Sequence, residues 1–282
     1  MSRYFIQFSY DGTAYHGWQV QPNAISVQQK LNEALSTLLR TPIETTGAGR
    51  TDTGVHAAKM TAHFETTLFD EWKETEQKEE LCQRLNQLTD KLNRLLPPDI
   101  AVQNVRPVKE KAHARFDATS RTYHYHVYTG KNPFLRHYAM RLHFHPDFVA
   151  MNAAAAQLLT VDDFTSFSKL HTDVKTNICR VSHAKWVELE PGYYRFEITA
   201  DRFLRNMVRA VVGTLLEVGR GRMSQNQFAD VINSKSRAAA GESVPGNALS
   251  LVNITYPEDI FELKPLQETR GANATGEVPK DI

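Results

Sequence analysis

The segment covering residues 47–57 concentrates reactive groups in a stretch that is unsuited to regular secondary structure. Its three glycines disfavour both helix and strand, and they favour a tight loop whose backbone another chain can approach closely. The loop carries one cation, Arg50, and one carboxylate, Asp52, which in its ionised form can act as a nucleophile or a base. The simpler interpretation is an ordinary turn in which Asp52 accepts backbone hydrogen bonds. Composition alone leaves both interpretations open.

His56 follows Asp52 at a spacing of four, which paired metal ligands use on one face of a helix. Gly54 lies between them and argues against a helix, and the sequence offers no evident third ligand. We therefore expect no metal here. A metal-dependent hydrolase built on these two residues is the alternative, and loss of activity with a chelator would be its signature. The loop also lacks the glycine spacing of a dinucleotide fingerprint and the Gly-Lys-Ser/Thr of a P-loop.

A second set of charged groups accompanies residues 203–218, which are strongly apolar and predict a helix. On that helix Arg202, Arg205 and Arg209 would fall at positions i, i+3 and i+7 and so share one face. Such a face can present cations to a cleft, or it can be no more than a solvated basic surface. The pattern predicts the shared face and leaves its use open.

The net charge of +1 conceals a strong asymmetry along the chain. Residues 106–141 contain eight Lys or Arg against two acids, with four histidines and several tyrosines between them, whereas residues 65–90 contain eight acids against three bases. A cationic surface that carries aromatic residues suits a polyanion with exposed bases. Two ordinary solvated faces are the simpler explanation.

The periodicity predicts an α+β protein with no regular βαβ spacing, and we expect two halves that divide near residue 105. The predicted units are an N-terminal domain (1–105), a C-terminal domain (106–260) and a flexible tail (261–282). Strands are predicted at residues 4–10, 59–64, 122–128, 186–189, 194–198 and 249–256, and helices at 26–40, around 81–92, 147–159, 203–218 and after Ser224.

The chain shows no long apolar run, so we expect no transmembrane helix. Its N-terminus enters a strand-like pattern at once, and we expect no signal peptide. The two cysteines, Cys82 and Cys179, cannot form a disulfide framework. A reducing cytoplasm is the simplest location.

The ordered motifs of the chain resemble the tRNA pseudouridine synthase A family. The most specific is Gly-Arg-Thr-Asp-Thr-Gly-Val-His at residues 49–56, whose Arg-Thr-Asp core presents the catalytic aspartate in that family. The others follow in the same order, at residues 10–12 and 17–19, 26–28, 92–100, 113–116, 121–125, 163–167 and 207–209 with Gly213. The resemblance covers roughly residues 3–256, and the acidic insert at 66–90 is longer than is typical of the family.

The resemblance implies a role for each matching residue. Asp52 would be the catalytic carboxylate, with attack at C1′, attack at C6 and removal of a sugar proton left open as its chemical step. Tyr123 would stack against the target base, although a strand tyrosine is more often a core residue, and Arg209 would be the cation that keeps the buried carboxylate charged. Arg50 would take the place of the flipped nucleotide. The remaining arginines would contact the tRNA backbone: Arg115, Arg121, Arg202 and Arg205.

The family also implies the fold, the substrate and the partners. Each half would be a largely antiparallel sheet with helices, and the halves would join across a central basic cleft. The substrate would be tRNA, at uridines 38, 39 and 40 of the anticodon stem-loop, and the protein would be a homodimer. Isomerisation of uridine involves no redox change and no transfer to water, so no cofactor is expected.

A protein that binds RNA without catalysis is the main alternative from a different class. It predicts tRNA binding that survives Asp52→Ala and yields no product. The joint presence of Arg50, Asp52, Tyr123 and Arg209 favours the isomerase, because a binding protein has no need to keep all four.

Overall fold

The computed structural model describes residues 1–74, 77–169 and 176–263. The strands are β1 (Ser2–Tyr10), β2 (Thr46–Gly47), β3 (His56–Thr66), β4 (Ile100–Val108), β5 (Ser120–Thr129), β6 (Met140–Leu142), β7 (Val181–Glu190), β8 (Tyr193–Ala200) and β9 (Leu249–Thr255). The α-helices are α1 (Val27–Leu39), α2 (Asp70–Glu74), α3 (Lys78–Leu95), α4 (Phe148–Ala156), α5 (Met207–Gly219) and α6 (Gln225–Ser234). No helix among these residues has the length and apolar character needed to cross a membrane.

The strands form one open, mostly antiparallel sheet in the order β4-β1-β3-β9-β5-β8-β7, with β2 beside β3 and β6 beside β5. The predicted mixed α/β class with a largely antiparallel sheet is therefore correct. A short parallel pairing of β3 with β9 joins the strands that come from the two ends of the chain, with His56 opposite Ser250 and Ala57 opposite Leu251. The sheet is thus continuous where the sequence predicts a division into halves.

Buried apolar side chains gather in two clusters on either side of this pairing. One contains β1, α1, α3 and β4 residues, and it also includes Leu251, Ile254 and Ile260 from the end of the described chain. The other contains β5, β7, β8 and α4–α6 residues together with Val55. The division near residue 105 stays a prediction, because the chain crosses between the clusters at both β3 and β9.

Local signals explain where two of the helices begin. Ser26 accepts a hydrogen bond from the backbone of Gln29 and starts α1, and Ser224 forms a complete capping box with Gln227 at α6. Both arrangements satisfy backbone N–H groups that the first helical turn leaves unpaired. On α3 the predicted stripe of four leucines is buried, and the helix ends before the two prolines, as predicted.

The helix predicted over residues 203–218 begins later than its apolar pattern indicates. Asn206 has a φ of 67°, which is left-handed, and α5 starts only at Met207. Arg202 and Arg205 therefore lie in the preceding loop, and the prediction that they share a helix face with Arg209 is wrong.

The two outer strands of the sheet are each held by an asparagine from a neighbouring helix. Asn93 of α3 donates to the Val102 carbonyl at 2.8 Å and accepts from its N–H at 2.7 Å. Asn152 of α4 does the same at Trp186, accepting from the N–H at 2.7 Å and donating to the carbonyl at 3.2 Å. Unpaired backbone on an outer strand invites pairing with another chain, so these contacts close both edges at those points.

The prediction places the start of the flexible tail at residue 261, which is too early in the sequence. Phe261 pairs with Val108 in an isolated β-bridge, and Arg106 donates to the Leu263 carbonyl at 3.0 Å. Residues 261–263 are thus packed on the N-terminal cluster, because their apolar side chains cover its edge. The remainder of that prediction, residues 264–282, lies outside the described residues.

Candidate active site

The glycine-rich loop between β2 and β3 is held by contacts on both sides of Asp52. The Thr51 hydroxyl lies 2.9 Å from the Tyr10 hydroxyl, and the Thr51 carbonyl accepts from Trp18 N–H at 3.3 Å. Beyond Asp52, the N–H of Val55 donates to the Asp52 carbonyl at 3.1 Å and closes a turn. Among the residues that the structure describes, the Asp52 carboxylate accepts from Arg209 and from no backbone N–H of this loop, so the simpler interpretation as an Asx-turn does not hold.

Two glycines let neighbouring segments pack directly on this loop. Gly17 has a φ of +88°, and a Cβ there would lie 2.3 Å from the Thr51 carbonyl oxygen. A Cβ on Gly246 would lie 2.7 Å from the Thr53 carbonyl oxygen. Side chains at these positions would displace the loop. The close packing at Gly17 and Gly246 therefore determines the position of Asp52.

Asp52 faces two arginines from the segment that precedes and begins α5. Arg209 donates from Nη1 to Asp52 Oδ2 at 3.1 Å, and Arg205 Nε lies 3.9 Å from Oδ1. The side chains of Asp52 and Arg209 are 28% and 23% exposed, whereas that of Arg205 is 55% exposed. Arg209 also donates from Nε to the Val244 carbonyl at 2.7 Å, which fixes its guanidinium. The carboxylate therefore has one well-oriented cation and one loosely held cation.

Tyr123 of β5 lies near this pair on the same strand face as Tyr125 and Val127. Burial raises its pKa to about 12, with a further upward contribution from the charge of Asp52 and a downward one from Arg121. Its ring meets Phe203 edge to face at 5.0 Å between centroids. The phenol is thus neutral at physiological pH, and its ring is half-buried and packed against both apolar clusters.

The other predicted site arginines have different surroundings. Arg50 is exposed and donates to the Gln19 side chain at 2.9 Å, and Arg115 is exposed beside the ring of Phe116. Arg202 donates to the Thr176 carbonyl at 3.2 Å. Arg121 is half-buried and donates to four backbone carbonyls, those of Ala48, Arg115, Ala118 and Asp201.

Arg121 differs from the other site arginines, because its contacts within the protein leave it unavailable to a ligand. Arg121 connects the glycine-rich loop to the turn before β5 and the end of β8, so its donors are used within the protein. Arg205 reaches the carboxylate itself, where the sequence predicted only a phosphate contact. Phe203 packs on Tyr123, but the sequence did not predict it as a site residue. Its position between Arg202 and Arg205 was the signal that could have identified it.

No group of three or more His, Cys, Asp or Glu side chains within the described ranges could hold a metal ion. His56 instead uses both ring nitrogens within the protein, with partners from Gly12 and Asn247. The donor set expected for a metal-dependent hydrolase is thus not found among these residues.

The candidate site thus combines a carboxylate, an arginine fixed beside it and a neutral tyrosine, near the middle of a mostly antiparallel sheet. Residues 154–257 match the family model described as tRNA pseudouridine synthase, and this match points to the class of pseudouridine synthases.

Full-length relatives narrow this class. The chain is 57% identical over 263 residues to the tRNA pseudouridine synthase A of Bacteroides thetaiotaomicron, covering 93% of each protein. It is 55% identical to the protein of that name from Bacteroides fragilis, over 93% of this chain and 99% of the relative, and 38% identical to that of Bacillus subtilis, over 88% and 96%. The chain therefore belongs to the tRNA pseudouridine synthase A family.

Proposed function

We propose that this protein is an isomerase that converts uridine to pseudouridine in the anticodon stem-loop of tRNA, at positions 38, 39 and 40, with Asp52 as its catalytic carboxylate. The reaction breaks the N1–C1′ bond, turns the base and joins C5 to C1′, while C5 gives up its hydrogen and N1 gains one. The observation that carries the proposal is the Asp52 carboxylate, 3.1 Å from Arg209 and still partly open to solvent.

The three central side chains have complementary parts in this reaction. Asp52 supplies the ionised oxygen that acts as nucleophile or base. Arg209 offsets the cost of keeping that charge in a site that a bound base would close to water. Tyr123 offers an aromatic face to the base, and such stacking contributes about 1–3 kcal/mol whichever base is present. Its phenol is protonated and can donate a hydrogen bond, and its raised pKa makes it a weaker acid than an exposed tyrosine.

Residues around the carboxylate suit a flipped nucleotide and its backbone. Arg50 is exposed two residues from Asp52, where its planar cation can fill the space that a flipped base leaves in a stem. Arg115 is exposed and Arg202 is partly exposed, so both can contact phosphates, and Arg205 can do so from beside Asp52. We assign Arg121 a supporting part in the RNA site, holding the glycine-rich loop in place.

The segment covering residues 130–146 extends the surface that suits RNA. It has three Lys or Arg and three histidines and no acid, and Phe134 at its tip is 87% exposed. Its middle is anchored beside the end of the glycine-rich loop, because the Tyr138 hydroxyl donates to Asp11 Oδ2 at 2.8 Å and Asp11 contacts His56. Exposed aromatic rings among cations bind unpaired bases and phosphates together.

The proposal extends to the assembly and location of the enzyme. We expect a homodimer, in which different subunits hold the two ends of one tRNA, and sedimentation as a monomer at micromolar concentration would contradict it. We also keep the division into residues 1–105 and 106–260, which the two apolar clusters support. Location in the cytoplasm agrees with the two unpaired cysteines, Cys82 and Cys179.

Release of tritium from tRNA labelled at uridine C5 tests the reaction directly, because C5 must lose its hydrogen. We expect release by the wild type without added metal or nucleotide, and none by Asp52→Asn. Asp230→Asn is the matched control, since it removes the same charge from an exposed position on α6. Release by Asp52→Asn would overturn the assignment of Asp52. Binding of several tRNAs without release by the wild type would favour the non-catalytic RNA-binding protein.

A further inference from the structure

His56 is a buried histidine at the point where the glycine-rich loop ends and β3 begins, with only 6% of its surface exposed. Its Nδ1 accepts a hydrogen bond from the N–H of Gly12 at 3.0 Å. Its Nε2 lies 2.9 Å from the Asn247 carbonyl oxygen, which can only accept, so Nε2 carries the hydrogen. Both ring nitrogens thus have partners within the protein.

These two bonds connect three segments that are far apart in the chain. Gly12 belongs to the turn after β1, His56 to the start of β3, and Asn247 to the short helix before β9. Asn247 is also next to Gly246, the residue that packs on the Thr53 carbonyl. The imidazole therefore lies where the N-terminal strands, the loop with Asp52 and the end of the sheet meet.

A second set of contacts surrounds the ring. Asp11 Oδ1 lies 3.0 Å from His56 Nδ1, and Asp11 Oδ1 also accepts from the Thr13 N–H and hydroxyl. The Tyr138 ring lies 5.2 Å from the imidazole, and its hydroxyl donates to the other Asp11 oxygen at 2.8 Å. Asp11 thus lies on the Nδ1 side of the imidazole, and the Tyr138 ring packs beside it, so both groups restrict the movement of the ring.

We propose that His56 is a positioning residue, which holds the loop so that Asp52 meets Arg209. This inference rests on the proposed function. His56 acts through the backbone: Val55 precedes it and closes the turn on the Asp52 carbonyl, and Asn247 fixes Gly246 against Thr53. It is not a base in the reaction, because neither nitrogen is free to take a proton from the substrate. A displacement of about 1 Å at a reacting group costs about 100-fold in rate, so a small relaxation of this loop is sufficient to affect catalysis.

His63 provides a matched control on the same strand. It is also buried, and its Nδ1 also accepts a backbone N–H, that of Ala114 at 3.1 Å. It lies seven residues further along β3, opposite Phe5 of β1 and Thr46 of β2, and its ring makes no hydrogen bond to residues 51–55 or to Asn247. Loss of a buried histidine on β3 is therefore common to both substitutions, and only His56 holds the loop.

The experiment compares His56→Gln and His56→Asn with His63→Gln. The glutamine at position 56 keeps a donor near the place of Nε2, and the asparagine keeps an acceptor near the place of Nδ1. We expect both His56 variants to lower kcat for tritium release at saturating tRNA by about 10-fold or more while the Kd for tRNA changes less than about twofold. His63→Gln should keep kcat within about twofold, with a comparable loss of thermal stability.

Hydrogen exchange at the amides of Gly54 and Val55 gives a readout that does not need activity. We expect faster exchange there in both His56 variants and unchanged exchange in His63→Gln. Equal losses of kcat in all three variants, or unchanged loop exchange in the His56 variants, would overturn the positioning role. If the wild type released no tritium, the proposed function would fail, and the exchange experiment would still decide whether His56 holds the loop.

Discussion

Arg209→Met removes the cation that lies closest to the Asp52 carboxylate and keeps an unbranched side chain in its place. Two contacts are lost together, the 3.1 Å bond to Asp52 and the 2.7 Å bond to the Val244 carbonyl. The first orients the carboxylate and stabilises its charge, and the second holds the guanidinium. The ionised, reactive form of Asp52 therefore depends on its bond to Arg209.

The size of the effect follows from the distance and the exposure of the pair. For charges 3.1 Å apart and less than a third exposed, an effective dielectric constant of about 35 gives about 3 kcal/mol, between the surface and bulk-water limits. Because the pair is already formed in the free enzyme, only part of this amount is specific to the reactive state. We therefore expect Arg209→Met to lower kcat by about 10-fold to 100-fold.

Two further variants give the experiment its controls. Arg209→Lys keeps the charge, but one ammonium group cannot reproduce the fork that reaches both Asp52 and Val244, so we expect an intermediate rate. Arg205→Met removes the cation 3.9 Å away, and because that side chain is 55% exposed we expect a loss in kcat below about tenfold.

The assay is tritium release under single-turnover conditions at saturating tRNA, with tRNA affinity and thermal unfolding measured on the same samples. Separating rate from affinity is necessary, because an arginine that binds phosphate would affect Kd instead. Arg209→Met with a wild-type rate, or Arg205→Met with an equal loss of rate, would refute the assignment of Arg209 as the partner of Asp52.

Three more predictions concern stability. Burial, reinforced by the charges of His113 and Arg3, lowers the pKa of His63 to about 4. Between about pH 6.5 and pH 4 the unfolded chain therefore binds a proton at this residue that the folded protein does not bind. The free energy of unfolding should fall as the pH is lowered through this range, by up to about 3 kcal/mol from this residue, and denaturant titrations should show a smaller fall for His63→Gln. Ser224→Ala removes one half of a capping box and should cost about 1 kcal/mol of unfolding free energy with tritium release unchanged; an unaltered melting temperature would contradict this. Gly246→Ala should lower the free energy of unfolding by about 1–3 kcal/mol, because its Cβ would contact the loop backbone. Gly49→Ala, whose Cβ meets nothing within 4 Å, should change it by no more than about 0.5 kcal/mol. Equal melting curves for the two variants would show the reasoning to be wrong.

Features that depend on neighbours in the chain were predicted well. The caps at Ser26 and Ser224 and the buried leucine stripe of α3 are local, since they depend on spacings of three or four residues. The start of α5 was the exception. The apolar pattern extends back to residue 203, but the left-handed backbone of Asn206 places the first helical residue at Met207.

The glycine-rich loop, its single carboxylate and the motifs that resemble one enzyme family were all predictable from the residues alone, because each is contained in a short stretch of chain. The surroundings of that carboxylate depend instead on the packing of distant segments. Asp52 meets Arg209 from 157 positions away, and His56 meets Asn247 from 191 positions away. Both contacts depend on the parallel pairing of β3 with β9, which joins distant parts of the chain. A local sequence pattern does not predict such a pairing, because the pairing depends on the burial of two apolar clusters and on the backbone hydrogen bonds that join them.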